Sequence, residues 1–300
     1  MIGIRAFTVY LPSTSVAIED LLAVAGESPA LLAPMLAGGL RRVPIASGIE
    51  ELIGGALEAL PPGIAPLACF FAHSLPDDGE AAAALRRRFA STPLLELSGQ
   101  PCAILHFVIR AASAWLRRNG SAIDEVLVVG ADHARAPADR LFFNSAMGDA
   151  AVALLLGRQD LKLALLASYV DTDLIACDGA RSDADAIRDF RAVNPSAIRT
   201  AITECARQAG LTVNDVRFLF PHTPYTSIWD AVASLLRYPR ERIVTDSVGR
   251  TGHLNSNDAF VHLHEALSGG RLKRGDVVMT VNPGFGGTRG CTLLRVGGGA

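Results

Sequence analysis

Apolar residues fall in short continuous runs along the chain. In the first part these are IRAFTVYL (4–11), APLACFFAH (65–73), PLLEL (93–97), EVLVVGAD (125–132) and AVALLLG (151–157). In the second they are ALLASYVD (164–171), VRFLFPH (216–222), RIVTDS (242–247), VVMTVN (277–282) and GCTLLRV (290–296). Runs apolar at successive positions suit strands covered on both faces by helices, and the intervening segments have helix-like spacing, so the pattern predicts an α/β fold. Two stretches echo each other: DEVLVVGAD…GDAAVALLLG and GDVVMTVNPG…TRGCTLLRV, each a charged residue, a strand, an irregular loop with glycine and a second strand. The echo predicts an internal duplication, with halves 1–158 and 159–300 meeting near GRQDLK (157–162). The polar stretch DGARSDADAIRDFRAVNPSA (178–197) reads as a surface excursion.

The segment 103–117 predicts a helix whose polar residues His106, Arg110, Ser113 and Arg117 form one narrow stripe, so that most of its circumference is buried. Cys102 falls at the predicted first turn, where unpaired backbone N–H groups and the positive end of the helix dipole favour a thiolate. Pro101 would fix the turn that leads into it. The alternative is a cysteine packed as a small hydrophobe, the commoner fate of that residue type.

Composition narrows the chemistry. Half of the 300 residues are hydrophobic, and 28 Lys plus Arg nearly balance 30 Asp plus Glu, so no global field draws nucleic acid or an anionic membrane. The five cysteines form no close pair, which argues against a zinc site or a disulfide framework and fits a reducing cytoplasm. No signal-like start and no apolar run of about 20 residues is present, so a soluble intracellular chain is expected.

Three further segments carry candidate chemistry. His222 follows a strand and precedes a helix, a position where α/β sites gather; a core-satisfied or merely exposed histidine is the alternative. The loop DSVGRTGHLNSND (246–258) holds His253 and Asp258, the latter either capping the next helix or taking part in a site. NPGFGGTRG (282–290) is a glycine-rich turn between strands: its backbone N–H groups, with Gly284 and Gly286, are candidates to point at an oxyanion, and turn chemistry alone is the alternative reading of its glycines. SGQPCA is not the G-x-S-x-G of a nucleophile elbow, and the G-x-G of the terminal turn does not open a first helix as a dinucleotide site requires.

Taken together, LSGQPCAILHFVIRAA, VLVVGAD, GDAAVALLLG, PHTP, GRTGHLNSND and GFGGTRG resemble, in order and spacing, the ketoacyl-ACP synthase III group of the thiolase fold, from about residue 90 onward. The resemblance implies two duplicated α/β halves in a layered α-β-α-β-α sandwich. It makes Cys102 the acyl-accepting nucleophile and His222 the family histidine. Condensing members typically have Gly-Asn at Gly252-His253 and Asn at Tyr225, so these departures point away from decarboxylative condensation. GHLNSND instead looks like a branch that passes acyl groups to hydroxyl or amine acceptors in specialised-metabolite pathways, with a triad mapped to Cys102, His222 and Asp258. His253 is left to contact substrate or to satisfy its loop. Cys102 and Gly286 are the expected oxyanion donors. The resemblance further implies an acyl-CoA or acyl carrier protein donor, a small-molecule acceptor, no permanently bound cofactor or metal, and a homodimer. The alternatives are a decarboxylative condensing enzyme using His222 and His253 together, and a noncatalytic partner subunit.

Overall fold

The computed structural model describes residues 1–100, 102–121 and 123–297; Pro101, expected to fix the turn before Cys102, lies outside them. Among the described residues nine of the apolar runs become strands of one sheet. They are β1 (Gly3–Tyr10), β2 (Ala68–Ala72), β3 (Leu94–Leu97), β4 (Val126–Asp132), β5 (Ala150–Gly157), β6 (Leu163–Thr172), β7 (Phe218–Pro221), β8 (Val277–Pro283) and β9 (Thr288–Val296). Across the sheet they run β7-β8-β9-β6-β1-β5-β4-β2-β3.

The seam between the two sides of this sheet is narrow, with β1 and β6 paired only at Gly3↔Ala164 and Ile4↔Leu163. Either side repeats one arrangement. A parallel pair (β2 with β4, β7 with β8) is followed by an antiparallel one (β4 with β5, β8 with β9), and the last strand of each side closes antiparallel (β5 with β1, β9 with β6). The echoed sequences are thus the β4–β5 and β8–β9 pairs, and β3 is an addition to the first side.

Six helices cover the strands: α1 (Ile49–Glu58), α2 (Glu80–Arg88), α3 (Ile104–Asn119), α4 (Ala184–Gln208), α5 (Ile228–Leu236) and α6 (Asp258–Ser268). Alternate residues of a strand face opposite layers, and both faces here are apolar. Val126 and Val128 of β4 join Val278 of β8 in a central layer with Leu105 and Ile109 of α3 and Phe260 and Leu263 of α6. Leu127 and Val129 face Leu52 and Ile53 of α1 and Leu85 of α2. Met279 and Val281 face Ile198 and Ile202 of α4 and Trp229 of α5. Five layers result, α-β-α-β-α. Each fully buried Leu, Ile, Val or Phe contributes ~1.5–3 kcal/mol, so the continuous apolar runs are what make both faces of each half sheet stick. No helix is long and apolar enough to cross a membrane among the described residues.

Three expectations are corrected. RIVTDS is no strand: Ile243 makes an isolated bridge to Leu219, Val244 N–H donates to Leu219 O, and the chain then turns into the short helix Val248–Thr251. The stretch 178–197 is no mere excursion, since α4 starts within it, capped by the Asp183 side chain accepting from Ala186 N–H at 2.7 Å. Pro195 sits inside that helix, and proline normally signals a break, which is why the pattern misled. Finally, α3 begins at Ile104, so Cys102 precedes the helix and is not in its first turn.

Candidate active site: a cysteine, two histidines and a carboxylate

Cys102 stands between β3 and α3 with φ +60°, in the left-handed region that a side-chain-bearing residue rarely adopts, at a cost of ~1–3 kcal/mol. Two hydrogen bonds hold it there. Its N–H donates to Ser74 Oγ at 3.2 Å, and its carbonyl accepts from Asn282 Nδ2 at 2.8 Å. The same Asn282 nitrogen donates to Ser256 O, which leaves Oδ1 as an acceptor 3.1 Å from His106 Nε2. His106 therefore carries its proton on Nε2 and accepts from Thr292 Oγ1 on Nδ1 at 2.8 Å. Burial pushes His106 down to about 4, partly offset by the Asn282 bond, so the ring is neutral. The polar stripe of α3 is split in consequence: His106 and Ser113 are buried, Arg110 and Arg117 exposed. A Cβ on Gly290 would lie 2.4 Å from His106 Cβ, so β9 needs glycine to let α3 approach.

His253 and Asp258 come from one loop. The His253 backbone is fixed by N–H donation to Ala146 O and by accepting from Gly148 N–H, both at 2.9 Å. Its Nδ1 lies 2.6 Å from Asp258 Oδ2, and its Nε2 lies 3.5 Å from Cys102 Sγ. Asp258 Oδ2 also accepts from Thr223 N–H at 2.8 Å, and Oδ1 from Leu254 N–H at 2.7 Å. All of these side chains are buried, Cys102 being 8% exposed.

His222 is present but differently placed from expectation. It extends β7, with its N–H donating to Val281 O and its carbonyl accepting from Trp229 Nε1. Its ring lies 4.9 Å from that of His253, edge to face, and its Nδ1 is buried without a hydrogen-bond partner. The expected pairing of Asp258 with His222 is therefore not what forms; the carboxylate bonds His253. The reason is local, because the turn at Asn255–Asn257 folds Asp258 back onto His253, whereas only the backbone of the His222 segment reaches it, through Thr223 N–H. Nor does Asp258 cap its own helix, since it is already the first residue of α6.

The charges follow from this geometry. Burial alone would lower His253, but the Asp258 carboxylate, the Cys102 sulfur and the hydrogen bonds to both push it up to about 10. His222 is pushed down to about 3 by burial and by the neighbouring His253 charge, against a smaller pull from Asp258. Burial works against an ionised Asp258, yet the His253 charge and hydrogen bond hold its carboxyl below the usual range. A charged His253 thus sits between sulfur and carboxylate, beside a neutral His222.

Cys102, His222 and His253 form the floor of a cavity of about 600 Å³. Phe285 anchors an aromatic wall, its ring 5.5, 5.6 and 5.2 Å from those of Phe142, Phe143 and Phe190. Phe190 and Arg191 belong to the stretch that reads as surface; a helical count through Pro195 would have placed Phe190 on the same side as Ala201 and Cys205. The glycine-rich turn departs from expectation too. Pro283, Gly284 and Phe285 reach the cavity, whereas Gly286, at φ +111°, packs against the Ala176–Gly179 turn. The Gly284 N–H closes the turn by donating to Thr288 O at 2.6 Å and is not free.

The sequence profile of the 3-oxoacyl-[acyl-carrier-protein (ACP)] synthase III C terminal matches residues 206–296, a span that holds His222, His253 and Asp258. The 3-oxoacyl-(acyl carrier protein) synthase III of Pseudomonas aeruginosa PAO1 superposes with a TM-score of 0.81 at 24% identity, covering 99% of this chain and 98% of that one. This chain has the fold of the ketoacyl-ACP synthase III structures, and its C-terminal third matches their sequence profile. The acyltransferase ChlB3 shares the ketoacyl-ACP synthase III-like fold with a TM-score of 0.84 at 20% identity, over 99% of this chain and 98% of its own. The beta-ketoacyl-[acyl-carrier-protein] synthase III 1 of Bacillus anthracis is 29% identical over 177 residues, 57% of either chain. The match thus spans little more than half the length of that curated relative.

Proposed function

We propose that the protein is an acyltransferase that carries an acyl group on Cys102 from an acyl-CoA or acyl carrier protein thioester to a hydroxyl or amine acceptor. The observation that supports it most is the line Cys102 Sγ, His253, Asp258, with its 3.5 and 2.6 Å contacts. It is the geometry of a nucleophile, a base and an orienting carboxylate. The name of ChlB3, an acyltransferase, fits the same reading.

In the first step Cys102 thiolate attacks the thioester carbon, and His253 Nε2–H protonates the departing thiol. The acyl-enzyme that remains has a neutral His253, its Nδ1–H still held by Asp258. An acceptor hydroxyl or amine then gives its proton to His253 Nε2 as it attacks the acyl carbon, and collapse expels the Cys102 thiolate. The sum is thioester plus acceptor giving thiol plus ester or amide. Each aligned donor to the oxyanion is worth ~3 kcal/mol. The Cys102 N–H would serve by exchanging Ser74 Oγ. His222, neutral and without a competing partner at Nδ1, orients the substrate carbonyl or acceptor.

A homodimer is part of the same proposal. Among the described residues strand β3 has one unpaired edge at the end of the sheet, beside an apolar groove lined by Phe70, Leu95 and Trp115, and a second β3 would extend the sheet there. Sedimentation should give twice the chain mass, with Leu95→Lys shifting it to the monomer.

The test of the reaction is intact mass after incubation with acyl-CoA, then with a panel of alcohols and amines. A one-acyl adduct, lost in Cys102→Ala and discharged by an acceptor, is expected. Carbon dioxide released from a malonyl thioester, with carbon–carbon bond formation, would replace acyl transfer by condensation. No adduct with any acyl thioester would leave only the noncatalytic subunit.

A further inference from the structure

We infer that the floor of the cavity is also a capture site for a thiophilic divalent cation, Zn²⁺ above all, held by Cys102 Sγ, His253 Nε2 and a ring nitrogen of His222. One donor atom from each of these three buried residues lies within 4.8 Å of the other two. Tetrahedral zinc, with bonds of roughly 2.0–2.3 Å, places its ligands about 3.6 Å apart. The Cys102–His253 separation of 3.5 Å already meets that spacing. His222 must approach by no more than about an ångström, and no hydrogen bond holds its Nδ1 back.

Two independent features favour metal over an accidental cluster. Asp258 accepts from His253 Nδ1, the outer partner that orients imidazole ligands and raises their basicity. The fourth coordination position faces the cavity, open to water or to a carboxylate or thiol of an occupant. One thiolate and one carboxylate balance the two positive charges, which lets the ion sit in a buried place. Spacing along the chain gives no hint of this, because the ligands come from both halves of the fold.

The proton balance is explicit. The ligands bind as thiolate and imidazole, so Zn²⁺ must displace the proton between Cys102 Sγ and His253 Nε2, which leaves to solvent. Because the ion and an acyl group need the same sulfur, occupancy and acylation exclude each other. The cation is a reversible inhibitor of the free enzyme and has no part in turnover.

The inference uses the side chains of the acyl-transfer reading but none of its steps. Metal-free protein, with exposed Cys177 changed to Ser, is titrated with CoCl₂ and ZnCl₂. Expected are a thiolate-to-cobalt charge-transfer band saturating at one equivalent, release of one proton, and protection of Cys102 from iodoacetamide by Zn²⁺. Cys102→Ser should abolish the band, and His222→Ala and His222→Gln should each weaken binding at least about tenfold, the lower range even for outer-shell partners. No protection at one equivalent in the Cys177→Ser protein overturns the site without any ligand variant; a full band in Cys102→Ser, or unchanged affinity in folded His222 variants, overturns it as well. Acylation of metal-free protein by acyl-CoA is scored separately, so either idea can fail alone.

Discussion

Changing Asp258 to Asn should disarm Cys102 while leaving its position intact. The rise of His253 from 6.5 to about 10 corresponds to ~5 kcal/mol in favour of its imidazolium at 1.36 kcal/mol per unit. The Asp258 charge is the largest upward contribution to that rise, so removing it should cost ~2 kcal/mol or more, at least about thirtyfold in the population of the ion pair. The assay is the rate of Cys102 alkylation by iodoacetamide followed by peptide mass. Cys69 and Cys205 are pushed up to about 12 by burial and will not compete. In the native protein His253 keeps its proton until about 10, so its charge stands beside Cys102 throughout the neutral range. In Asp258→Asn the rate should fall at least about thirtyfold at pH 7. His222→Ala should keep the native rate. A native rate in Asp258→Asn, or a collapse in His222→Ala alone, would refute the pairing of Asp258 with His253. Asn can satisfy only one of the Thr223 and Leu254 N–H groups, so a stability loss of ~1–3 kcal/mol accompanies the change and is read from a melt.

Acid should destabilise the fold through two buried neutral imidazoles. His222 and His106 are held at about 3 and about 4, whereas the unfolded chain takes up protons near 6.5. Stability is therefore complete above pH 6.5 and lost as pH falls toward these values, ~2–5 kcal/mol by pH 4.5 in urea titrations. His253 acts the other way: its contribution is full below 6.5 and is lost as pH rises through about 10, so stability should also drop in alkali. Gly290→Ala drives a methyl into His106 and should cost ~1–3 kcal/mol in urea melts, and it should slow Cys102 alkylation through displacement of α3. Arg140→Leu strands Asp149, which is bonded at 2.7 Å by both guanidinium ends; it should cost ~3–5 kcal/mol and loosen the segment that carries Phe142 and Phe143.

Most of the sheet was legible because strands buried on both faces leave continuous apolar runs, and nine of the ten runs are indeed strands. The tenth, RIVTDS, has the composition of a strand but lies at the sheet margin, where only Ile243 finds a bridge. The β4–β5 and β8–β9 echo was legible because a duplicated topology repeats the same burial pattern. In the site, Cys102, His222, His253 and Asp258 were all recognised as candidates, yet the wrong histidine was joined to Asp258. Spacing names residue types but not which imidazole a carboxylate meets. That was decided by the turn at Asn255–Asn257, a matter of backbone angles. Likewise Gly286 and Gly284 look equally able to offer an N–H until the turn closes and consumes that of Gly284. The Asn282–His106 clamp on Cys102 was out of reach because its members join α3 to β8 and β9 across the central layer.

The protonation of His253 can be read directly by ¹⁵N NMR of histidine-labelled protein between pH 6 and 9. A His253 ring protonated on both nitrogens throughout this range, with a strongly deshielded Nδ1 proton that disappears in Asp258→Asn, is the predicted result. A His253 that is neutral at pH 7 in the native protein would contradict the charged link between Cys102 and Asp258.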